Sequence, residues 1–553
     1  MRRRDRSTKT AALDRRTLFR YAGAGGVMAL LPEGAGRAAT APAAEATKAE
    51  TFELEEATIL DLQKRMVSGE DSARSLTEKY VARIEALDRR GPELRSVLEV
   101  NPDALAIAEK LDEERKAGRV RGPLHGIPIL IKDNIGTADR MTTTAGSLAL
   151  EGSIPSSDSF IAKMLRESGA VILGKTNLSE WANFRSTHST SGWSGRGGQC
   201  RNPYALDRNA SGSSSGSGAA TEANLCAASI GTETDGSIVS PSNNCSLVGI
   251  KPTLGLASRA GIIPIAHSQD TPGPMCRSVT DAAILLGAIS ATDPADPATK
   301  ESTAKAARGF AKLLDPKGLD GARIGVPRKV FFGQSAPTDR IIEKAIEDMK
   351  RLGAVIVDPA DVDNAAAFEK TELEVLLYEF KADLNVYLAS LPGARARTLA
   401  ELIDFNEKNK DREMPYFGQE IFVMAEKKGP LTEKAYREAL EKDLKLSRKE
   451  GIDKAMDKHK LDALVAPTSG PAGLIDLANG DYGVNGCSTL PAIAGYPHIT
   501  VPAGYHFGLP VGISFFGRAW SEPTLIRIAY AYEQATKHRK PPRFLPTAEL
   551  AGT

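Results

Sequence analysis

Residues 209–253 read NASGSSSGSGAATEANLCAASIGTETDGSIVSPSNNCSLVGIKPT, and this stretch carries most of the information about the fold. A Ser/Gly loop, Ser211–Gly218, runs into a small-residue helix predicted over about Ala219–Ala228, and a second glycine loop, Gly231–Ser237, follows. Glycine lets a backbone approach a ligand closely and turn its N–H groups inward. A Ser/Gly run alone is more often a flexible linker. The helix and the second glycine turn, which ends in serine, favour a buried site with hydroxyls on two loops.

A second informative stretch precedes it, Gly122–Ile135, which reads GPLHGIPILIKDNI. Ile127–Ile131 is almost wholly apolar, as expected of a strand buried on both faces. Lys132 stands at the end of this predicted strand. Such a lysine is usually a solvated strand terminus, but a desolvated lysine has a lowered pKa and can act as a base near neutrality.

Together these stretches resemble the amidase signature family, whose core reads roughly GGSSGGS, a small-residue helix and then GTDxGGSIRxP. HGIPxxxKDN is a hallmark of the same family. The resemblance implies an α/β fold with a central mixed β-sheet sandwiched between helices in one large domain. The peptide amidases are the most similar members, on four further segments: GKTNLSEWANFR (174–185), GWSGRGGQ (192–199), LYEFK (377–381) and LDALVAPT (461–468).

The resemblance implies a Ser-Ser-Lys triad. Lys132 takes the place of the family's base, and Ser213 that of a bridging serine, which follows a cis peptide and relays the proton. Ser237 takes the place of the nucleophile, and the spacing between the two serines is the family's own. The oxyanion hole is expected from the backbone N–H groups of Thr234, Asp235, Gly236 and Ser237.

The chain departs from the family pattern at three glycine positions. Ser211 and Ser215 replace glycine in the first loop, which places three adjacent hydroxyls at 213–215. Asp235 replaces glycine in the second loop, where aspartate can tolerate a left-handed backbone.

Four residues are substrate-binding candidates because they lie in the segments that match the peptide amidases: Trp193, Arg196, Tyr378 and Glu379. Core packing is an equal alternative for Trp193 and Tyr378, and a structural ion pair is the favoured alternative for the other two. Asp270 is expected to brace the site and not to touch substrate.

Other ways to activate a serine find little support in the sequence. None of the seven histidines has a context typical of a Ser-His-Asp triad, and no G-x-S-x-G elbow lies near the serines. The sequence has no H-E-x-x-H or other ligand set of useful spacing, so we expect neither a metal nor a cofactor. A phosphate-binding role for the loop is not supported, because G-x-x-x-x-G-K-[ST] is missing.

The implied reaction is hydrolysis of a peptide's C-terminal amide to carboxylate and ammonia through an acyl-enzyme on Ser237. An amidase of small aliphatic or aryl amides is the first alternative, and a glutaminase subunit like the glutamyl-tRNA amidotransferase A chain is the second. A binding protein that keeps the fold is the third alternative. It is disfavoured, because a binding role gives no reason to place a lysine at a buried strand end.

Composition restricts the partners. The chain has 553 residues, of which 41% are hydrophobic and 25% charged, with a formal net charge of +1. That balance gives no electrostatic reason to bind nucleic acid, and a small-molecule or peptide amide is the expected partner. Five cysteines without C-x-x-C spacing predict buried thiols, not disulfides.

The N-terminus predicts export. Met1–Arg20 is basic and contains DRRTLF (14–19), an apolar run from Ala22 to Leu31 follows, and Ala38–Ala44 is rich in Ala and Pro. This order resembles the twin-arginine signal, whereas a disordered basic tail is the alternative. We expect a signal peptide at 1–43, a linker at 44–51 and the amidase domain at 52–545. Export by the twin-arginine machinery would place the protein in the periplasm or outside the cell, without a stable membrane anchor after signal removal.

Periodicity predicts how the domain is organised. Residues 53–116 are expected to be helical, with Asn101 as a helix cap, and the signature core spans about 121–290. Residues 323–357 predict a strand–helix–strand unit, and about 365–460 predict a helical insertion that could cover the active site. Further strands are expected at 461–465, 499–502 and 510–516, before a final helix with Ser521 as its cap. Because strands occur early and late, one shared sheet is expected.

Overall fold

The structure, a computed structural model, describes residues 52–306, 309–481 and 486–550. The β-strands are β1 (Val97–Val100), β2 (Pro128–Lys132), β3 (Val171–Thr176), β4 (Trp193–Ser194), β5 (Gly198–Gln199), β6 (Ala228–Glu233), β7 (Val248–Lys251), β8 (Thr271–Cys276), β9 (Arg323–Gly325), β10 (Val355–Val357), β11 (Ala463–Pro467), β12 (His498–His506) and β13 (Leu509–Phe516).

The α-helices are α1 (Ile59–Ser68), α2 (Ala73–Arg83), α3 (Ala104–Lys116), α4 (Phe160–Glu167), α5 (Ser215–Glu222), α6 (Val239–Asn244), α7 (Val279–Ile289), α8 (Ser302–Ala306), α9 (Arg328–Phe331), α10 (Ala336–Arg351), α11 (Glu369–Ser390), α12 (Leu399–Lys408), α13 (Lys410–Glu413), α14 (Glu420–Glu426), α15 (Lys434–Leu444), α16 (Asp453–His459), α17 (Thr489–Ala494) and α18 (Glu522–Thr536). Two π-helical segments, Ile84–Arg89 and Lys445–Ile452, continue α2 and α15.

One mixed sheet organises the described residues and contains 11 of their 13 strands, in the order β1-β3-β2-β6-β8-β7-β12-β13-β11-β9-β10, whereas β4 and β5 form a separate two-stranded sheet. β2 pairs in parallel with both β3 and β6, and β9 pairs in parallel with β10 and β11. The remaining pairs are antiparallel. Strands from early and late in the chain share this sheet, so the prediction of one α/β domain is confirmed.

Helices cover both faces of the sheet. Every residue of β2, β3, β6 and β8 is buried, and because successive side chains point to opposite faces, both faces must be covered. The apolar run of β2 is therefore what its position in the middle of the sheet requires. One large cluster of buried side chains joins these strands to α2, α7 and α18.

The small-residue helix was predicted too late in the chain. α5 begins at Ser215 and ends at Glu222, and Ala228 opens strand β6. Serine and glycine are weak helix formers, so propensity pointed to the alanines. Tertiary packing overrides propensity, because a Cβ at Gly216 would come within 2.3 Å of the Ser96 carbonyl oxygen. Only glycine fits at this crossing.

Two further expectations for the N-terminal third were wrong. β1 interrupts the predicted helical region 53–116 and pairs with the edge of β3. Four residues are too short for periodicity to separate a strand from a helix. Asn101 is not the cap of α3, because its side-chain oxygen accepts from the Asp103 N–H at 2.9 Å and Asp103 holds the cap position. Ser521 does hold the cap position of α18, although without a side-chain cap bond.

Helices α11 to α16 occupy the segment between β10 and β11, where the helical insertion was predicted. These helices lie within the predicted range of about 365–460. Phe380, Leu384 and Leu388 of α11 are buried in a second cluster with α12 and α14, which also contains Trp181 and Ile263. This cluster therefore joins the insertion to earlier segments of the chain.

The predicted signal and linker, residues 1–51, lie outside the described residues, so their boundaries stay predictions. The described residues all belong to one compact unit. Among their helices, none has both the length and the apolar character of a membrane span.

Candidate active site

Lys132 is the last residue of β2, and its side chain is completely buried. Its Nζ donates to the Ser213 Oγ at 2.8 Å, to the Thr232 Oγ1 at 2.9 Å and to the Thr232 carbonyl oxygen at 3.1 Å. Because β2 and β6 run parallel, their carboxyl ends meet at one edge of the sheet. This is why a residue 100 positions away holds the lysine.

Burial lowers the pKa of Lys132 to about 7. The negative charges of Asp270 and Glu233 oppose this shift, but desolvation is the larger effect. All three partners of the Nζ are neutral oxygens. A large fraction of neutral amine near pH 7 is what a base at this position needs.

Ser213 follows a cis peptide bond, Gly212–Ser213. A Cβ at Gly212 would lie 2.2 Å from the Ser179 Oγ, so only glycine fits before this serine. Ser211, which stands at a glycine position of the family pattern, adopts a left-handed backbone with φ of 62°. The Ser215 Oγ donates back to the Ser211 carbonyl oxygen at 2.6 Å and helps to close this turn.

The three adjacent hydroxyls have different partners. Only Ser213 of the three contacts Lys132, whereas the Ser214 Oγ donates to the Thr232 carbonyl oxygen at 3.1 Å. Ser215 is bonded to its own loop. The bond to the lysine therefore favours Ser213 among the three serines, and its role as the bridging serine stays a prediction.

Ser237 lies on the loop between β6 and α6 and is 8% exposed. Its carbonyl oxygen accepts from the Ser214 N–H at 3.2 Å, so the two serine loops are in contact. The hydrogen bonds of the described residues include none between the Ser237 hydroxyl and Ser213. The structure therefore pairs Lys132 with Ser213 directly and brings Ser237 near them through the backbone.

Glu233 fixes the loop that carries Ser237. One of its carboxylate oxygens accepts from the Ile238 N–H at 2.7 Å and from the Val239 N–H at 3.0 Å. Burial raises the pKa of Glu233, and the nearby Lys251 ammonium partly offsets that rise. The loop that follows β6 is thus folded around the buried carboxyl of Glu233, the last residue of that strand.

The other residues expected in the oxyanion hole are also held in place. The Thr234 Oγ1 donates to Asp270 at 2.5 Å, and the Asp235 carboxylate accepts from the Thr489 Oγ1 at 2.7 Å. The left-handed position of the loop is Gly236, with φ of 76°. Asp235 has no positive φ, so its substitution for glycine costs no backbone strain.

Asp270 precedes β8, which is antiparallel to β6, so it lies beside the start of the Ser237 loop. Its carboxylate accepts from Thr234 and from the N–H groups of Ile265 and Ala266 at 2.8 and 3.0 Å. Burial raises the pKa of Asp270 to about 6. These contacts match the expected bracing role, although Asp270 also lines the cavity described next.

A cavity of about 510 Å³ opens at this edge of the sheet. Asn134, Ser213, Thr232 and Thr234 line its polar end. Its lining does not include Ser237 or Lys132, both of which are buried. An amide placed in this cavity reaches the Ser213 hydroxyl.

Trp193 and Arg196 do not line this cavity. Trp193 is 5% exposed and packs edge-on against Phe417 at 5.2 Å between ring centroids. Arg196 lies 3.3 Å from Glu99 and 3.7 Å from Asp133. These contacts match the packing and ion-pair alternatives of the sequence analysis.

Tyr378 and Glu379 lie on α11 but outside the cavity lining. The Tyr378 hydroxyl donates to Glu433 at 2.5 Å. Glu379 accepts from the Ser268 N–H at 2.9 Å and from the Tyr436 hydroxyl at 2.8 Å, and it lies 3.4 Å from the His267 Nε2. His267 lines the cavity, so Glu379 contacts a residue of the cavity wall without lining the cavity itself.

One cluster has the composition of a cation site. His267, Glu379 and Asp383 each bring a ligand atom within 4.8 Å of the others. The His267 Nδ1 lies 2.8 Å from an Asp383 oxygen, so each ring nitrogen already faces a carboxylate. Internal ion pairing explains the cluster without an ion.

Thr232 is a site residue that the sequence pattern does not single out, although its hydroxyl and carbonyl both accept from Lys132. The sequence holds part of the information needed to find Thr232, because this residue lies in the second glycine motif, GTETDGS. What the sequence lacks is the strand order that places the end of β6 beside β2.

Comparison with known proteins places this arrangement in a family. The family model described as Amidase matches residues 75–526. A protein of Arabidopsis thaliana described as a probable amidase is 45% identical over 504 residues, which is 90% of this chain and 93% of that protein. The A chain of a glutamyl-tRNA(Gln) amidotransferase from Thermosynechococcus vestitus is 34% identical over 88% of this chain and 99% of that protein.

Among solved structures, a peptide amidase from Stenotrophomonas maltophilia superposes with a TM-score of 0.85. It is 51% identical and covers 89% of this chain and 99% of that chain.

Proposed function

Because the chain belongs to the amidase family and is an amide-hydrolysing enzyme, we propose that its substrates are peptides with a C-terminal carboxamide. In this proposal Ser237 forms an acyl-enzyme, Ser213 relays protons and Lys132 is the base. The observation that carries the proposal is the bond from the buried Lys132 Nζ to the Ser213 Oγ at 2.8 Å. The similarity to a peptide amidase supports the choice of substrate.

Acylation begins with neutral Lys132. The amine takes the Ser213 hydroxyl proton while Ser213 takes the proton of Ser237, and the Ser237 oxygen bonds to the amide carbon. Negative charge develops on the carbonyl oxygen, where backbone N–H groups of residues 234–237 can donate to it, and one such donor contributes about 3 kcal/mol. The C–N bond then breaks, and the proton returns from Lys132 through Ser213 to the leaving ammonia.

Deacylation runs through the same groups. Water gives a proton to Ser213, and thus to Lys132, and its oxygen attacks the ester carbon of the acyl-enzyme. The ester bond breaks, Ser237 recovers its proton and the carboxylic acid is released. The sum is amide plus water giving carboxylic acid plus ammonia, so no co-reactant is needed.

Two other substrates belong to the same chemistry. A small aliphatic or aryl amide needs only the polar end of the cavity. A glutaminase role is suggested by the 34% identity to an amidotransferase chain, but the predicted N-terminal signal argues against it, because tRNA and the partner subunits are cytoplasmic. We propose that the protein acts in the periplasm or outside the cell.

The test measures ammonia release from a C-terminally amidated dipeptide. The wild type is expected to release ammonia, whereas Ser237→Ala and Lys132→Ala are expected to lose about 10⁴-fold or more in kcat. Activity that survives in Ser237→Ala would remove the nucleophile assignment. Turnover of a simple amide without turnover of the peptide amide would keep the chemistry and discard the peptide substrate.

A further inference from the structure

The wall of the active-site cavity opposite the sheet is one face of helix α11. Five residues line the cavity at the spacing of one helix face or just past the end of the helix: Asp383, Val386, Tyr387, Ser390 and Leu391. Val386 is 73% exposed, although a valine at the centre of such a face is usually covered. A ligand that enters the cavity would cover the Val386 side chain.

A turn rich in isoleucine adjoins this helix. Ile262, Ile263 and Ile265 line the cavity, and the last two are buried in one cluster with side chains of α11. The Ile263 N–H donates to the Asn134 carbonyl oxygen at 2.8 Å, and Asn134 is two residues beyond Lys132. The Ile265 N–H donates to Asp270. This turn is therefore fixed to the same residues that hold the reacting end.

Charged groups in the cavity lining are largely neutralised by partners. The Arg259 guanidinium pairs with Asp296 and donates to the His267 carbonyl oxygen. His267 pairs with Asp383. Among the described lining residues, the remaining carboxyl is Asp270, which is bonded to Thr234 and two N–H groups. A charged substrate side chain would find no unpaired counter-charge among these described residues.

From this geometry we infer that the cavity is a side-chain subsite for a large aliphatic or aromatic residue next to the scissile amide. Val386 and the three isoleucines are its specificity-determining residues. The inference rests on the proposed function and narrows its substrate class from any peptide amide to amides of apolar residues. Covering the exposed Val386 and the half-buried Ile262 with an apolar side chain removes apolar surface from water on both partners.

The test uses isosteric substrates. We expect the wild type to hydrolyse N-acetylvalinamide about tenfold to a hundredfold faster in kcat/KM than N-acetylthreoninamide, because a buried hydroxyl without a partner is penalised. N-acetylleucinamide should exceed N-acetylglycinamide by at least about tenfold. Equal rates across these pairs would overturn the inference.

Two variants locate the preference. Val386→Thr keeps the shape and should reduce the valine-over-threonine preference a few-fold, and Val386→Asp should reduce it further. Val67→Asp is the matched control, because Val67 is a 78% exposed valine on α1. It should change neither preference.

The outcomes separate the two proposals. A change of equal size on all substrates in Val386→Asp would overturn the subsite. Turnover without side-chain preference removes the inference alone. Failure of the wild type on every amide removes the proposed function and the inference together.

Discussion

At the scale of single residues, the Lys132 side chain is completely buried, and its Nζ donates to three neutral acceptors. A buried ammonium is costly, so the neutral amine is favoured and the pKa falls to about 7. The negative charges of Asp270 and Glu233 oppose this fall in the pKa. The state of this one side chain therefore sets how the proposed reaction depends on pH.

We predict that kcat/KM rises with pH through an acid limb with an apparent pKa near 7. The neutral lysine is the active form, so activity is lost below this pH as the amine takes up a proton. Thr232→Val removes the acceptor at 2.9 Å, destabilises the ammonium and should move the limb to lower pH. A limb that stays in place in this variant, or a wild-type limb near pH 4, would contradict the assignment of Lys132 as base.

A second prediction separates the adjacent serines. Ser213→Ala removes the only hydroxyl of the three that contacts Lys132, and we expect kcat to fall about 10³-fold or more. Ser215→Ala removes a bond within the loop and should cost about 1 kcal/mol in unfolding free energy with kcat within about tenfold. Steady-state kinetics and denaturant unfolding of both variants check this. Equal losses in kcat would show that Ser213 has no special role.

At the scale of elements, the loop before β8 and helix α11 meet at His267. The ring lies 2.8 Å from Asp383 and 3.4 Å from Glu379, both on α11. The same loop carries Asp270, which braces Thr234. The contact therefore links the helical insertion to the proposed oxyanion loop.

We predict that this contact stabilises the protein at low pH more than at high pH. The hydrogen bond to Asp383, and then the Glu379 charge, raise the pKa of His267. A raised folded-state pKa gives stability that is complete below about pH 6.5, the unfolded value, and is lost as pH rises through the folded value. Arg259, which also faces His267, works against this rise.

The His267 side chain is 44% exposed, so solvent screening limits the gain to about 0.2–1 kcal/mol. Denaturant unfolding of the wild type and His267→Gln at pH 5.5 and pH 9 measures it. The difference between the two proteins should shrink at the higher pH. A difference that grows with pH would contradict the assignment.

At the scale of the whole molecule, the described residues are held together by one buried sheet and its covering helices. All five cysteines are free and buried. Burial raises the pKa of the thiols of Cys226 and Cys487 to about 11 and 12, which keeps them protonated and unreactive. Stability therefore does not depend on a redox compartment.

We predict that a reducing agent leaves the thermal unfolding midpoint unchanged within about 1 °C, because a disulfide would contribute about 2–4 kcal/mol. Calorimetry with and without reductant measures this. A fall of several degrees under reduction would show a disulfide that the structure does not have.

The predicted signal also gives an expectation for the whole chain. Replacing Arg15 and Arg16 by lysine should keep the precursor inside the cell, because the paired arginines are the residues that the resemblance to a twin-arginine signal rests on. Fractionation of a bacterial host that expresses both forms checks this. Equal export of both forms would reject the twin-arginine route.

The amino-acid pattern was sufficient for the fold class and for singling out Lys132 and Ser237 as candidates. An apolar run such as Ile127–Ile131 is typical of a strand covered on both faces, and the glycine turns are local requirements of the backbone. Such features depend on neighbours along the chain, so they can be read from it. The order of the motifs was enough to identify the family.

Tertiary packing alone set which groups meet. Thr232 holds Lys132 because β6 lies beside β2, and position 216 requires glycine because it crosses the Ser96 backbone. The same packing brings Ser213, and not its neighbours, to Lys132. It also leaves four of the predicted residues outside the cavity lining: Trp193, Arg196, Tyr378 and Glu379. Contacts between distant segments depend on strand order and packing, and the local sequence pattern carries neither.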